Sequence, residues 1–227
     1  MRITCLIIFG ILFAQLPLGA TEYSQQELER WLESDDDAPP EAAVSHVNEG
    51  KLVFLSKPPG KVVHYHQNRL VIDDKSLNQG WVLLVQCHDN LDRVPMAQIT
   101  YSRERVRELE VTSQRNIGAS WVENNTLQLR DISADARVCV TARARALVSN
   151  EDGSFSLHNG PFMRRFLDGY YPLHLSMEID YAASGLQLVD VSPAEQQGFQ
   201  ISDDGRRVSF DTWFEGRLRT EFLFWRD

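Results

Sequence analysis

A chain of 227 residues with a formal net charge of −9 and 43% hydrophobic residues can bury the core of one large or two small domains. Its excess of acid argues against nonspecific nucleic-acid binding, which rests on phosphate neutralisation by Lys and Arg, and against adsorption to an anionic membrane surface. Export would sharpen both exclusions, because cleavage after Ala20 removes Arg2 and no acid and takes the charge from −9 to −10.

Residues 1–20, MRITCLIIFGILFAQLPLGA, have the pattern of a secretory signal peptide: Arg2 as a positive n-region, an apolar run from Ile3 to Phe13, and small residues at Gly19-Ala20. Gln15 and Pro17 interrupt the apolar stretch, which is shorter than the ~20 residues a membrane span needs. No later segment approaches a span. The expected location is therefore periplasmic or secreted. Of three cysteines the signal removes Cys5, and an exported protein left with Cys87 and Cys139 is expected to join them in one disulfide.

Residues 21–50 read as helical. Ser24 and Glu27 form a capping box, Tyr23 and Leu28 a hydrophobic staple, and Leu28, Trp31 and Leu32 an apolar stripe ended by Asp35-Asp36-Asp37 and Pro39-Pro40. From Lys51 the period changes to two. Strands are expected at 52–55, 62–72, 81–88, 98–101, 108–113, 119–122, 127–131 and 137–148, with Asp73-Asp74, Asn78-Gln79-Gly80 and Glu123–Thr126 as turns. After a turn at Asn150–Gly153 comes a less regular stretch, in which Phe162, Phe166 and Leu167 suit a helical turn. Leu173, Leu175, Met177, Ile179 and Tyr181 then alternate with polar residues, the pattern of a strand with one core face. Strands at 186–191, 199–202, 208–214 and 218–225 complete the chain.

Many short strands between turns predict a mostly β, antiparallel β-sandwich-like protein. The preferred arrangement is a signal peptide at 1–20, a helical segment at 21–50 and two sandwich-like halves at 51–150 and 151–227, the alternative being one continuous sandwich. On the apolar strand Trp81–His88, Cys87 shares a face with Trp81, Leu83 and Val85, and that face is expected to be buried.

The sharpest candidate for chemistry is His64-Tyr65-His66, since residues two apart on a strand project from one face. His88 would join His64 and His66 if the 81–88 strand pairs with the 62–72 strand, and three imidazoles would suit Cu²⁺ or Zn²⁺. The bland alternative is three polar residues on a solvated face. The segment from Gly160 to Pro172 mixes aromatics with arginines, a composition found at protein-binding hot spots, and offers Phe162, Arg164, Arg165 and Tyr170 as a partner-binding surface or as a plug between the halves. Adjacent Cys87 and His88 point to opposite faces of a strand and make a poor nucleophile–base pair, and no H-E-x-x-H, G-x-S-x-G, P-loop, G-x-G-x-x-G or C-x-x-C occurs. No catalytic residue is assigned. These features lead to an expected exported, non-enzymatic β-sandwich protein without cofactor that binds a protein or another envelope component. The alternative is a periplasmic copper- or zinc-binding protein.

Material recovered from the exporting cell should begin at or near Thr21. Intact-mass analysis decides this, and exported protein that still carries Met1 to Ala20 would contradict the signal-peptide reading.

Overall fold

The computed structural model describes Asn48, residues 50–166 and residues 169–226, with the backbone alone for Phe166. The expected signal peptide and nearly all of the 21–50 helical segment lie outside these residues. The described residues belong to one compact unit, mostly β. Its strands are β1 (Val53–Phe54), β2 (Tyr65–Val71), β3 (Trp81–Asp89), β4 (Met96–Thr100), β5 (Val106–Glu123), β6 (Thr126–Arg145), β7 (Leu147–Ser149), β8 (Phe155–Phe162), β9 (Arg164–Phe166), β10 (Gly169–Tyr171), β11 (Leu173–Asp180), β12 (Leu186–Ser192), β13 (Ser202–Asp203), β14 (Arg207–Glu215) and β15 (Leu218–Arg226).

A nine-stranded sheet runs β1-β14-β11-β2-β3-β6-β4, with β13 also on β14 and β5 also on β6. A four-stranded sheet runs β12-β15-β8-β7, and β9 pairs with β10. The two larger sheets share one core, in which Phe222 and Phe224 of β15 and Leu157 of β8 meet Leu175 of β11, Phe210 of β14 and Tyr181. This is the expected sandwich, but its sheets do not divide near residue 150. Strands β11 and β14 complete the sheet begun by β2 and β3, and β7, from before residue 150, belongs to the smaller sheet. Two halves would each have needed a closed core, whereas here the inner face of each sheet is covered by the other.

One pairing departs from the antiparallel rule. β11 lies parallel to β2, with Leu175 opposite His66 and Met177 opposite Asn68, while β3 flanks β2 antiparallel on the other edge. β2 is thus a central strand between partners far apart in sequence. Residues Asp74–Gln79, expected as turns, form a short helix (α1) capped by Asp73 and Ser76 and closed by Gly80 at φ 74, which buries Leu77. Of the residues expected in a helical turn, Phe162 ends β8 and Phe166 ends β9, both extended, while Leu167 lies outside the described residues.

β5 and β6 form a long hairpin turned by Asn124 and Asn125, both at positive φ as a two-residue turn of matching twist requires. Register shifts interrupt β5 at Arg107/Glu110, Val111/Ser113 and Arg115/Ile117, and such bulges bend and twist a ribbon. The other edge of β6 serves two strands in turn, pairing residues 126–130 with β4 and residues 137–145 with β3. Among the described residues no helix is long and apolar enough to cross a membrane.

The buried face of β3 is the reverse of the one expected. Val82, Leu84, Gln86 and His88 point inward, and Trp81, Leu83, Val85 and Cys87 lie half-buried on the other side. Both faces of this strand are apolar in composition, so alternation shows which residues belong together and not which set is covered. The disulfide itself forms as expected. Cys87 and Cys139 stand directly opposite on β3 and β6, with Cα atoms 4.1 Å apart.

The bridge spans 52 residues of sequence, for which the loss of unfolded-chain entropy amounts to roughly 4 kcal/mol of stabilisation. Reduction, or Cys87→Ala, should lower the melting temperature by several degrees or more in a calorimetric scan. Two free thiols in the unfolded, unreduced protein would show that the bridge does not form.

Candidate functional site

The inner face of β2 carries a polar run at the period of a strand. His64, just ahead of β2, is followed on the same face by His66, Asn68 and Leu70. Opposite stands the inner face of β3, where His88 faces His66 and Gln86 faces Asn68. The conditional in the sequence reading is therefore met, and His88 does reach His64 and His66. Ring centroids lie 5.1 Å apart for His64 and His88, 4.3 Å for His66 and His88, and 6.1 Å for His64 and His66. These are not side chains on a solvated face: His88 is only 3% exposed.

The hydrogen bonds fix which nitrogens carry protons. The amide oxygen of Gln86 can only accept, and it takes the Tyr101 hydroxyl at 2.5 Å and His88 Nε2 at 3.1 Å. His88 Nε2 is thus protonated and Nδ1 is left as a lone pair. That lone pair accepts from His64 Nε2 at 3.0 Å. Gln86 Nε2 meanwhile donates to Asn68 Oδ1 at 2.7 Å. The chain Tyr101–Gln86–His88–His64 is internally satisfied, and each imidazole in it is neutral. On the same wall His66 Nε2 and Asn68 Nδ2 are buried and make no hydrogen bond of standard geometry, although the Asn68 side chain lies close enough to the His66 ring to oppose the effect of burial on it.

Electrostatics agree with neutral rings. Burial, then the nearby Arg164 guanidinium, brings His64 down to about 4, against partial opposition from Asp92 and Asp89. Burial and His64 bring His66 down to about 3. Burial and the two neighbouring imidazoles hold His88 well below its ordinary value. The Tyr101 phenol is pushed up by burial.

This wall borders a cleft of about 720 Å³ between the two sheets. The rest of its lining is mainly apolar, with Leu84, Ile99, Leu129, Ala144, Phe162 and Leu173 prominent. Phe162 meets His66 edge-on at 5.4 Å. Next to it Arg164 of β9 holds Asp92 at 2.8 Å.

The four residues expected as a partner-binding surface are largely occupied within the chain. Phe162 lines the cleft and Arg164 is ion-paired. Tyr170 is 7% exposed, with Arg217 Nε donating to its hydroxyl at 2.5 Å and Arg165 stacked over its ring at 5.6 Å. Among the described residues no group of three His, Cys, Asp or Glu is arranged to hold a metal ion. His64, His66 and His88 come together as rings, yet one potential ligand atom of His64 and one of His88 are spent on each other.

Tyr65, between the two histidines in sequence, points to the opposite face and stacks on His174 at 3.9 Å, which stacks in turn on Trp213 at 4.1 Å. Asn68, Gln86 and Tyr101 were missed by the sequence reading. The first two were within reach of it, since alternation carried two residues past His66 gives Asn68 and two before His88 gives Gln86. Tyr101 had no such signal, because it follows β4 and arrives through the pairing of β4 with β6. Comparison of the chain with family models, with curated proteins and with solved structures finds no match.

The pH dependence has a definite sign. Unfolded histidine takes up its proton near 6.5, whereas in the fold His64 stays neutral to about 4 and His66 to about 3, and His88 is likewise held well below its ordinary value. Their contribution to stability is complete above pH 6.5 and is lost as the pH falls from there toward 4. Urea midpoints should drop steadily between pH 7 and pH 4.5, and His66→Phe, which keeps the bulk and removes one titrating ring, should flatten the slope. A midpoint constant over that range would show that the imidazoles are not buried.

Proposed function

We propose that this is an exported, non-enzymatic binding protein whose site is the cleft between the two sheets, and whose ligand is a largely apolar component of the cell envelope. The single observation behind this reading is the cleft itself, about 720 Å³ between the two sheets, mainly apolar in its lining and with the polar side chains of His66 and Asn68 on one wall. Small-molecule sites are typically clefts of about 300–1,000 Å³ with apolar walls and a few convergent polar groups, and 720 Å³ falls within that range. A general base works best with a pKa near the working pH, and imidazoles held near 4 and 3 are poor candidates, which favours binding over catalysis. Export rests on the signal-peptide pattern, with which the Cys87–Cys139 bridge is compatible.

A second reading places Cu²⁺ or Zn²⁺ on His64, His66 and His88. It is favoured by the 3.0 Å between His64 Nε2 and His88 Nδ1, close to the roughly 3.3 Å between two nitrogens that share a tetrahedral zinc. The metal would have to replace the proton between those two nitrogens, and His66 would have to turn from its place against Phe162.

Two measurements separate the readings. The neutral apolar dye N-phenyl-1-naphthylamine should bind saturably, and Ala144→Phe, which fills the cleft, should weaken it at least tenfold while the melting temperature changes by only a few degrees. Absence of saturable binding by the wild type would overturn the cleft reading. Elemental analysis after incubation with Zn²⁺ or Cu²⁺ should find about one equivalent only if the second reading holds, and His64→Ala with His66→Ala should abolish it.

A further inference from the structure

The cleft has a second end. Along β3 the inward residues run from His88 through Gln86 and Leu84 to Val82, and seven residues separate Trp81 from His88, about 23 Å at the rise of a strand. The imidazoles stand at the His88 end. Arg145, opposite Trp81, marks the other. There a smaller recess of about 360 Å³ opens off the cleft and shares Arg105, His158, Asn159 and Gly160 with it.

Two buried polar atoms on the wall of this recess have no hydrogen-bond partner, Asn159 Nδ2 and Thr220 Oγ1. They belong to residues directly opposite on β8 and β15, and Thr220 is 2% exposed. An amide NH₂ can only donate and a hydroxyl can donate or accept, so an acceptor oxygen seated between them would satisfy both. Arg105 and Arg219, both exposed, also border the recess, Arg219 from the position next to Thr220 on β15, and neither takes part in an ion pair among the described residues. Arg145 adjoins them, its backbone N–H donating to the Arg105 carbonyl at 2.8 Å. The one carboxylate present, Glu221, lies 3.8 Å from His158 Nδ1. In a chain of net charge −9, this is a local reversal of sign.

We propose that the recess seats the oxyanion headgroup of the ligand while its alkyl chain lies along the cleft, so that the ligand is an anionic single-chain amphiphile, a carboxylate or a phosphate monoester. The proposal rests on the reading of the cleft as the binding site. Asn159 and Thr220 supply hydrogen bonds to the headgroup oxygens, Arg105 and Arg219 supply charge, and the apolar lining from Ala146 to Ile99 takes the chain.

Titration calorimetry on protein purified after export tests this with dodecanoate, dodecyl phosphate, dodecan-1-ol and inorganic phosphate, all below micellar concentration. At least one of the two anions should bind tenfold or more tightly than the alcohol. Arg105→Ala with Arg219→Ala, both on exposed side chains, should weaken the anion at least tenfold and leave the alcohol unchanged. Thr220→Val, which keeps shape and removes the unpartnered hydroxyl, should weaken the anion several-fold without lowering the melting temperature. Equal binding of anions and alcohol would overturn the headgroup assignment and leave the cleft reading intact. Binding of inorganic phosphate with no binding of any alkyl probe would overturn the amphiphile and the cleft reading together, leaving a free-oxyanion site. No binding of any of the four would overturn both.

Discussion

The register between β2 and β3 is the constraint on which the rest depends. With His66 opposite His88 and Asn68 opposite Gln86, four polar side chains form a ladder on the inner face of the sheet. A slip of one residue in either strand would send its whole set to the outer face and bring Tyr65 and Gln67, or Cys87 and Val85, inward. It would also separate Cys87 from Cys139, which face each other only because β3 keeps its register with β6. Core ladder and disulfide are two faces of the same alignment.

Polar groups in a core are stabilising only when their bonds are complete. The chain from Tyr101 through Gln86 and His88 to His64 meets that condition, because the Gln86 oxygen accepts from both Tyr101 and His88 while His88 Nδ1 accepts from His64. Neutrality of the imidazoles follows chiefly from their burial, and the hydrogen bonds are complete with neutral rings. The exceptions are not scattered. His66 and Asn68 fall at one end of the cleft, Asn159 and Thr220 at the other.

The cleft exists because the large sheet does not lie flat on the small one. The bulges of β5 and the division of the β6 edge between β3 and β4 curve the sheet. Residues on β4 and β6, among them Ile99, Leu129 and Ile132, therefore line the cleft with residues of β2 and β3 instead of closing against β15. The aromatic centre of the core, Phe210, Phe222, Phe224 and Tyr181, lies where β11 and β14 face β15, and there the packing is complete.

Much of the secondary structure was legible in the sequence. The alternation of Leu173, Leu175, Met177 and Ile179 fixed both the strand and its buried face, since its other residues are polar and only one orientation removes apolar area from water. The common face of His64 and His66 was likewise decided locally, by the period of a strand, whereas the pairing of Cys87 with Cys139, expected from their number, is made by the register of β3 with β6. What local pattern could not decide was which side of each sheet would be covered, and by what. Trp81–Asp89 is apolar on both faces, so its inward set was settled only by the tertiary fold, which takes Val82 and Leu84 into the shared core. The parallel union of β2 with β11 joins residues more than a hundred positions apart, and it merges the expected halves into one sheet. Strand period is a property of neighbours along the chain. Burial, and with it the meeting of two histidines, a glutamine and an asparagine on one wall, is a property of what lies opposite, and only the tertiary fold supplies that.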